Sequence, residues 1–304
     1  MAVVRLGPVA DSYPSPHELR LLLAVERTGS FTGAAEELGL TQSAVSHAVR
    51  TIERKIGAVL FERGRTGSGP TDAGERALVH ARHILRQYEV LQVEARGAAN
   101  GRIGGPLRIA AFRTAALHLL PAALDRLASR HPELSPQVSI VRELGRGPMG
   151  EVADGRADVA VATLPEDVVP EPGLLVGELL REPYLFVYPT GHPAPRTLPL
   201  IDWDENCSAA TLGWWSSQDW LPPAKITAAD DGVVLQMVAQ GLGMAILPKL
   251  SLTNAPAGVT ITQLGDQAPT RRTVHLTSRA GAHSLGVREL VHALRATRDE
   301  QLTR

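Results

Sequence analysis

Residues 31–50 read FTGAAEELGLTQSAVSHAVR, and three positions in this stretch leave little freedom in what it can form. Ala35 is small, Gly39 has no side chain and Val45 is β-branched, at spacings of four and six residues. Two helices that cross closely need a small residue where they approach, a cheap left-handed turn between them, and an apolar plug on the inner face of the second. The spacing therefore predicts a helix-turn-helix. Ser30 is placed to cap the first helix and Thr41 the second, which is expected to run to about Ile56 and stop at Gly57. Upstream, SPHE (Ser15 to Glu18) has the pattern of a capping box with Pro16 at the first helical position, and the helix it opens should stop at Gly29.

The outward positions of the second helix are Thr41, Gln42, Ser43, Ser46, His47 and Arg50. This is a short polar face, where solvated helices usually carry Lys and Glu. Gln pairs bidentately with adenine, Arg with guanine or phosphate, and Ser and Thr let the backbone come close to phosphates. Gly33 is expected to help that close approach. The following segment, AVLFERGRTGSGPTDAGE, reads as two short strands joined by a flexible basic tip, a wing that carries Arg63 and Arg65. Over residues 41–71 the bases Arg50, Arg54, Lys55, Arg63 and Arg65 outnumber the acids Glu53 and Glu62. The net charge of −1 hides this asymmetry: residues 1–112 hold 14 Lys and Arg against 11 Asp and Glu, and the rest hold 17 against 21. A basic patch beside a short polar helix face fits a nucleic-acid surface.

From residue 72 to about 97 a long helix is expected, with Ala77, Ala81, Ile84, Tyr88, Leu91 and Ala95 in a heptad stripe that needs a partner, most simply the same helix of a second copy. RGAANGRIGGP, 96–106, reads as a glycine-rich linker. Beyond it strand and helix patterns alternate, which argues an α/β sheet with ligands at the carboxyl ends of strands.

Other function classes find no support. No run of about 18 apolar residues is present, and the first residues lack the apolar core of a signal peptide. The single cysteine, Cys207, forms no internal disulfide and has no cluster of metal ligands around it, so a cytoplasmic protein without metal or cofactor is expected. No catalytic set is suggested and no enzyme is expected.

The run FTGAAEELGLTQSAVSHAVRTIERKIGAVLFER…PTDAGE, the long helix after it and VAQGLGMAILP at 238–248 together resemble the LysR-type transcriptional regulators, over almost the whole chain and most strongly over residues 16–75. The resemblance implies a multi-domain α/β protein: an N-terminal winged helix-turn-helix (15–72), a linker helix for dimerisation (73–99) and a two-lobed α/β effector domain (106–304) resembling type II periplasmic binding proteins. Lobe I would span about 106–163 and 280–304, and lobe II about 164–279. It implies promoter DNA and a small-molecule effector as partners, and a homo-oligomer that is a dimer through the linker helix and a tetramer beyond it. Carried over by position, Gln42, Ser43, Ser46, His47 and Arg50 form the DNA face. His47 stands where the family often has Arg and Ser43 where Pro is common, which leaves the base contacts at those two places open.

In the family the effector sits between the lobes. Here Arg113 and Thr114 begin a helix after the first strand, and Arg146 lies in the second loop of the same lobe; such groups suit an anion. All four tryptophans, Trp203, Trp214, Trp215 and Trp220, fall within 18 residues. A tryptophan-lined wall favours an aromatic, planar or cationic ligand. Trp214 or Trp215, with Ser216 beside them and Asp230 as the cap of the next helix, are expected to face the cleft.

Overall fold

A computed structural model describes residues 13–64, 67–100, 102–165, 168–205, 209–265 and 267–303. They divide into two compact units, the first running to Asn100 and including Asp154–Arg156, the second made of the rest.

In the N-terminal unit, α1 (Pro16–Thr28) opens on the expected capping box and closes at Gly29. α2 (Phe31–Leu38) is capped by Ser30 and ends at Gly39, whose φ of 66° is the left-handed turn between the two helices. α3 (Gln42–Ile56) is capped by Thr41 and ends at Gly57. Ala35 and Val45 are buried where the helices meet, together with Leu22, Val25, Val49 and Ile52. The apolar set is closed by Phe31 and Phe61, whose rings meet edge to face at 6.2 Å. Gly33 has a different reason from the expected one. A Cβ there would lie 2.9 Å from Thr28 Cβ and 3.0 Å from Ser30 Oγ, the hydroxyl that accepts the Gly33 N–H at 2.9 Å. The glycine makes room for the cap of its own helix.

The wing is a hairpin of β1 (Phe61–Gly64) and β2 (Gly67–Pro70), in register from Phe61–Pro70 to Gly64–Gly67. Glu53 anchors its root by accepting the Leu60 N–H at 2.8 Å, and the Ser68 N–H reaches the Gly29 carbonyl at 2.8 Å. α4 (Asp72–Asn100) runs three residues beyond its expected end. The expected linker is correspondingly shorter: helix persists to Asn100 because Ala95 and Ala98 offset the cost of Gly97, and the next strand starts at Gly104.

The second unit is built on β3 (Gly104–Ala111), β4 (Glu133–Ile140), β5 (Val159–Thr163), the long β6 (Leu174–Pro189) and β11 (Thr270–Ser278). Their order is β4-β3-β5-β11-β6, with β4, β3 and β5 parallel and β11 antiparallel to both neighbours. β6 then leaves this sheet. Leu174–Pro183 pairs with β11, whereas residues from Tyr184 onward pair with β9 (Ala245–Pro248) and β10 (Val259–Gln263) in a second sheet. A parallel pair, β7 (Ile201–Trp203) and β8 (Ile226–Ala228), joins that second lobe through a bridge from Leu200 to Met244. The chain thus crosses between lobes near residues 183–184 and returns just before Thr270. This corrects the boundary expected from sequence: 174–183 and 270–278 belong to the first lobe's sheet, because their backbone hydrogen bonds go to β5 and to each other.

Helices cover the sheets. The expected helix after β3 is two, α5 (Arg113–His118) and α6 (Leu120–Arg130), with the break beside Pro121, which has no N–H to continue the ladder. α6 and α10 (Leu285–Thr303) bury Leu120, Leu127, Leu290 and Leu294 against the first sheet. α7 (Gly147–Ala153) lies on its other face, burying Val152. In the second lobe α8 (Ala209–Ser216) and α9 (Asp231–Ala239) flank a core of Val187, Val234, Val238, Met244 and Leu247.

Candidate functional sites: a helix face and an inter-lobe cavity

α3 turns Val45, Val49 and Ile52 inward and leaves Gln42, His47 and Arg50 exposed. The cap arrangement commits two of the other expected residues locally. The Thr41 hydroxyl accepts the Ala44 N–H at 3.2 Å and lies 3.0 Å from the Ser43 hydroxyl. Ser46 is half-buried. Ala44, overlooked in sequence, shares the exposed face; nothing but its small size could have marked it. Two expected basic residues are engaged within their own unit. Lys55 Nζ pairs with both oxygens of Glu18 at 2.8 and 2.9 Å, and Arg54 donates to Thr51 at 2.9 Å. Burial pushes the Glu18 carboxyl up, yet pairing with Lys55 and Ser15 outweighs it and holds the pKa below the usual range. The Arg63 backbone pairs with Ser68 in the hairpin; Arg65 lies outside the described residues.

The stripe on α4 divides. Ala81 is buried in the unit's own core with Ala77 packed against it, beside Leu78 and Leu85 from outside the stripe. Further along, Ile84, Tyr88 and Leu91 are 45%, 44% and 63% exposed and stand one turn apart, a seam that the unit does not cover.

In the second unit a cavity of about 60 Å³ lies between the lobes. A single water needs roughly 10–15 Å³ of such space, so the cavity suits a molecule of a few heavy atoms. Three expected residues meet there: Arg113, Thr114 and Asp230. Their relation to one another is closer than sequence suggested. Asp230 caps α9 by accepting the Val233 N–H at 2.9 Å, and its other oxygen accepts from Arg113 at 2.5 Å. The buried Thr114 hydroxyl donates to Asp231 at 2.6 Å, which also accepts from Ser251. The anion awaited by Arg113 is one that the chain itself supplies, and both bonds tie the first lobe to the second.

Arg146, Trp214, Trp215 and Ser216 are not among the cavity's walls. Arg146 forms a fork with Glu171 at 2.6 and 2.7 Å. Trp215 packs edge to face on Tyr184 and on Trp214, each pair at 5.7 Å. Trp220 packs on Phe186 at 5.4 Å, and the Ser216 hydroxyl is turned back to the Gly213 carbonyl at 3.0 Å. The aromatic cluster is second-lobe packing, and the tryptophan that reaches the cavity is Trp203.

Sequence reasoning missed five charged residues of the cavity: Glu143, Glu205, Asp231, Arg271 and Arg272. A signal for Arg271 existed: RRTVHLTS places two arginines at the start of an otherwise buried strand. Arg271 is almost fully enclosed; its Nε donates to Glu182 at 2.9 Å and its guanidinium lies 5.1 Å from the centre of the Phe112 ring. Burial opposes its charge, but Glu182, Tyr184 and Glu143 around it more than compensate and raise its pKa. Glu143, in the loop after β4, accepts the Thr163 N–H at 2.5 Å. Burial pushes its carboxyl up to about 7, although Arg271 and Thr163 pull the other way.

That shift fixes a pH dependence. The folded state holds a proton on Glu143 up to about pH 7, whereas the unfolded chain loses it near 4.5. Stability from this group therefore falls as pH rises from 4.5 through 7, by at most about 3 kcal/mol at 1.36 per unit. Glu143→Gln should raise the melting temperature at pH 8 and leave it unchanged at pH 4.5; an equal effect at both would show that ionisation is not the cause.

Among the described residues no group of three or more acidic, His or Cys side chains is arranged to hold a metal ion, and no helix is long and apolar enough to cross a membrane.

Residues 16–75 match the family model of the bacterial regulatory helix-turn-helix protein of the lysR family, and residues 100–299 match the LysR substrate binding domain. The probable HTH-type transcriptional regulator LrrA of Synechococcus elongatus is 35% identical over 80% of this chain and 83% of its own length. A full-length OxyR variant from Pseudomonas aeruginosa is similar in structure, with a TM-score of 0.70, 20% identity, and 93% and 98% of the two chains covered. Full-length CbnR complexed with its target DNA gives a TM-score of 0.65 at 18% identity, covering 93% and 99%.

Proposed function

We propose, for a chain that belongs to the LysR family of transcriptional regulators, that α3 reads promoter DNA through Gln42, Ser43, Ser46, His47 and Arg50, with Thr41 at its start and Arg63 and Arg65 of the wing on the flanking backbone. The observation that carries this reading is the face of α3 itself. It is short, polar and exposed, and its other side is sealed into the core. The amino-terminal part of such a helix enters the major groove, where short side chains let the backbone approach base edges. The Thr41 and Ser43 hydroxyls, tied to the cap, act as backbone-positioning groups, and Gln42, His47 and Arg50 reach the bases. α4 pairs with its copy through Ile84, Tyr88 and Leu91, and two such dimers form a tetramer on promoter DNA in the cytoplasm.

The cavity between the lobes is the effector site, with Arg113, Thr114 and Asp230 at its rim. The bonds Arg113–Asp230 and Thr114–Asp231 tie the lobes to each other. A ligand that competes for Arg113 or fills the cavity shifts the lobes about the crossings near 183–184 and 270, and with them the spacing of the DNA-reading helices. Arg146, Trp214, Trp215 and Ser216 act at a distance from the cavity, as lobe packing.

Footprinting on the promoter nearest its own gene tests both halves of the reading. A protected site is expected, and its length or hypersensitivity should change with the cognate effector. Asp230→Asn, which weakens the tie across the lobes, should shift the footprint toward the effector-bound pattern without any ligand. A footprint that neither Asp230→Asn nor a metabolite extract alters would remove the role given to the cavity.

A further inference from the structure

We infer that the inter-lobe cavity selects a small zwitterion of the amino-acid class, its carboxylate held by Arg271 and its ammonium group by Glu143. This rests on the reading of the cavity as the effector site and names the chemistry that site takes.

The first ground is Arg271. Its side chain is 9% exposed and Nε is bonded to Glu182, yet Nη2 is buried with no hydrogen-bond partner. A buried charged donor without an acceptor is costly, so such atoms are rare unless something fills them. A guanidinium edge offers the planar geometry that suits a carboxylate. Arg271 also stands where β11 re-enters the first lobe, paired across the crossing with Glu182 of β6, so a ligand on it touches the segment about which the lobes turn.

The second ground is Glu143. Thr163 is its hydrogen-bonding neighbour, and among the described residues no cation is paired with its carboxyl. The remaining acids around the cavity are already engaged. Asp230 takes Arg113, Asp231 takes Thr114 and Ser251, and Glu205 takes Arg142 at 3.0 Å. Glu143 is the acid left for a ligand's cationic donor.

The third ground is selection by mixed sign. Arg271 and Glu143 line one space of about 60 Å³ and sense each other's charge. A plain anion leaves the buried Glu143 without a cationic partner, and a plain cation meets the repulsion of Arg271. A molecule with both charges a few atoms apart is favoured at each end, and larger ligands are limited by the walls of Tyr184 and Trp203.

Titration calorimetry on the full-length protein with each of the twenty L-amino acids tests the inference. At least one should bind, and its deaminated acid and its primary amide should each bind roughly tenfold more weakly or worse, as expected for loss of a charged hydrogen bond. Glu143→Gln, which keeps an acceptor for Thr163, should weaken the amino acid by a similar factor and leave the deaminated acid unchanged. Binding should release protons increasingly as pH falls below 7, as the ammonium group displaces the proton of Glu143; the groups that act on that carboxyl are Arg271, Thr163 and Glu205. Failure of all twenty to bind, or equal binding to Glu143→Gln, overturns the zwitterion. If a ligand of another class binds instead and is blocked by Thr270→Trp, which fills the cavity from an exposed wall position, the cavity stands as the effector site and only its chemistry was misread. If Thr270→Trp binds every ligand as well as the parent does, the cavity is not the effector site and both readings fall.

Discussion

Arg50→Ala and Gln42→Ala will each weaken binding to the specific operator by roughly ten- to a hundredfold, the range for losing a bidentate base contact of about 1–3 kcal/mol. Both side chains are exposed on α3 and bury nothing. Alanine is a better helix former than either, so the melting temperature should stay within a degree or two. Binding measured against salt separates the two kinds of contact. If Arg50 pairs with a phosphate, Arg50→Ala weakens specific and random DNA alike and lowers the salt slope by about 1. If it reads guanine, the loss is confined to the operator. Gln42→Ala carries no charge change and should leave the slope untouched. Unaltered operator affinity in both variants, with the fold intact by circular dichroism, would rule out α3 as the reading helix.

The other large effect belongs to α4. Replacing Ile84 and Leu91 together with Glu should turn the dimer into a monomer at micromolar concentration. Each apolar side chain lost from a seam forfeits about 1.5–3 kcal/mol of burial, and it is lost twice, once in each copy. Four carboxylates brought together on one seam add like-charge repulsion that worsens the balance. The unit's own core keeps Leu78, Ala81 and Leu85, so the fold should survive. Light scattering after size exclusion reads the mass directly, and operator affinity should fall along with it because a monomer contacts one half-site only. A dimer of unchanged mass would place the interface elsewhere.

The protein is a DNA-binding transcriptional regulator of the LysR family with an effector-binding domain. Much of its N-terminal half was legible in the sequence, and the reason is local. Caps, glycine turns and a small helix pair are specified by residues three to six apart: Ser15 with Glu18, Ser30 with Gly33, and Ala35, Gly39 and Val45. The short polar face of α3 was visible for the same reason, since helical periodicity alone assigns a residue to one side. The same periodicity found the stripe on α4 but could not divide it. That Ala81 turns to its own core while Ile84, Tyr88 and Leu91 do not depends on where α1 packs.

Long-range pairing decided the rest. Lys55 looked like part of a basic patch until Glu18, 37 residues earlier, was brought beside it. The lobe boundary could not be read from strand and helix order, because β6 is one continuous strand shared by two sheets and only its hydrogen-bond partners tell where it crosses. The tryptophans were conspicuous in sequence, but their neighbours on β6 make most of them core.

The sequence by itself determined the helix-turn-helix, the short polar face of its second helix, the α/β class of the second half and the family, because each follows from spacing within a few residues or from motifs in order. Only the tertiary structure decided what lines the cavity. It brings Glu143 and Arg271, 128 positions apart, into one small space, and it gives Arg113 a carboxylate from the chain itself. A charged side chain's role is set by the charges that folding places around it, and those come from strands and loops that no local pattern connects.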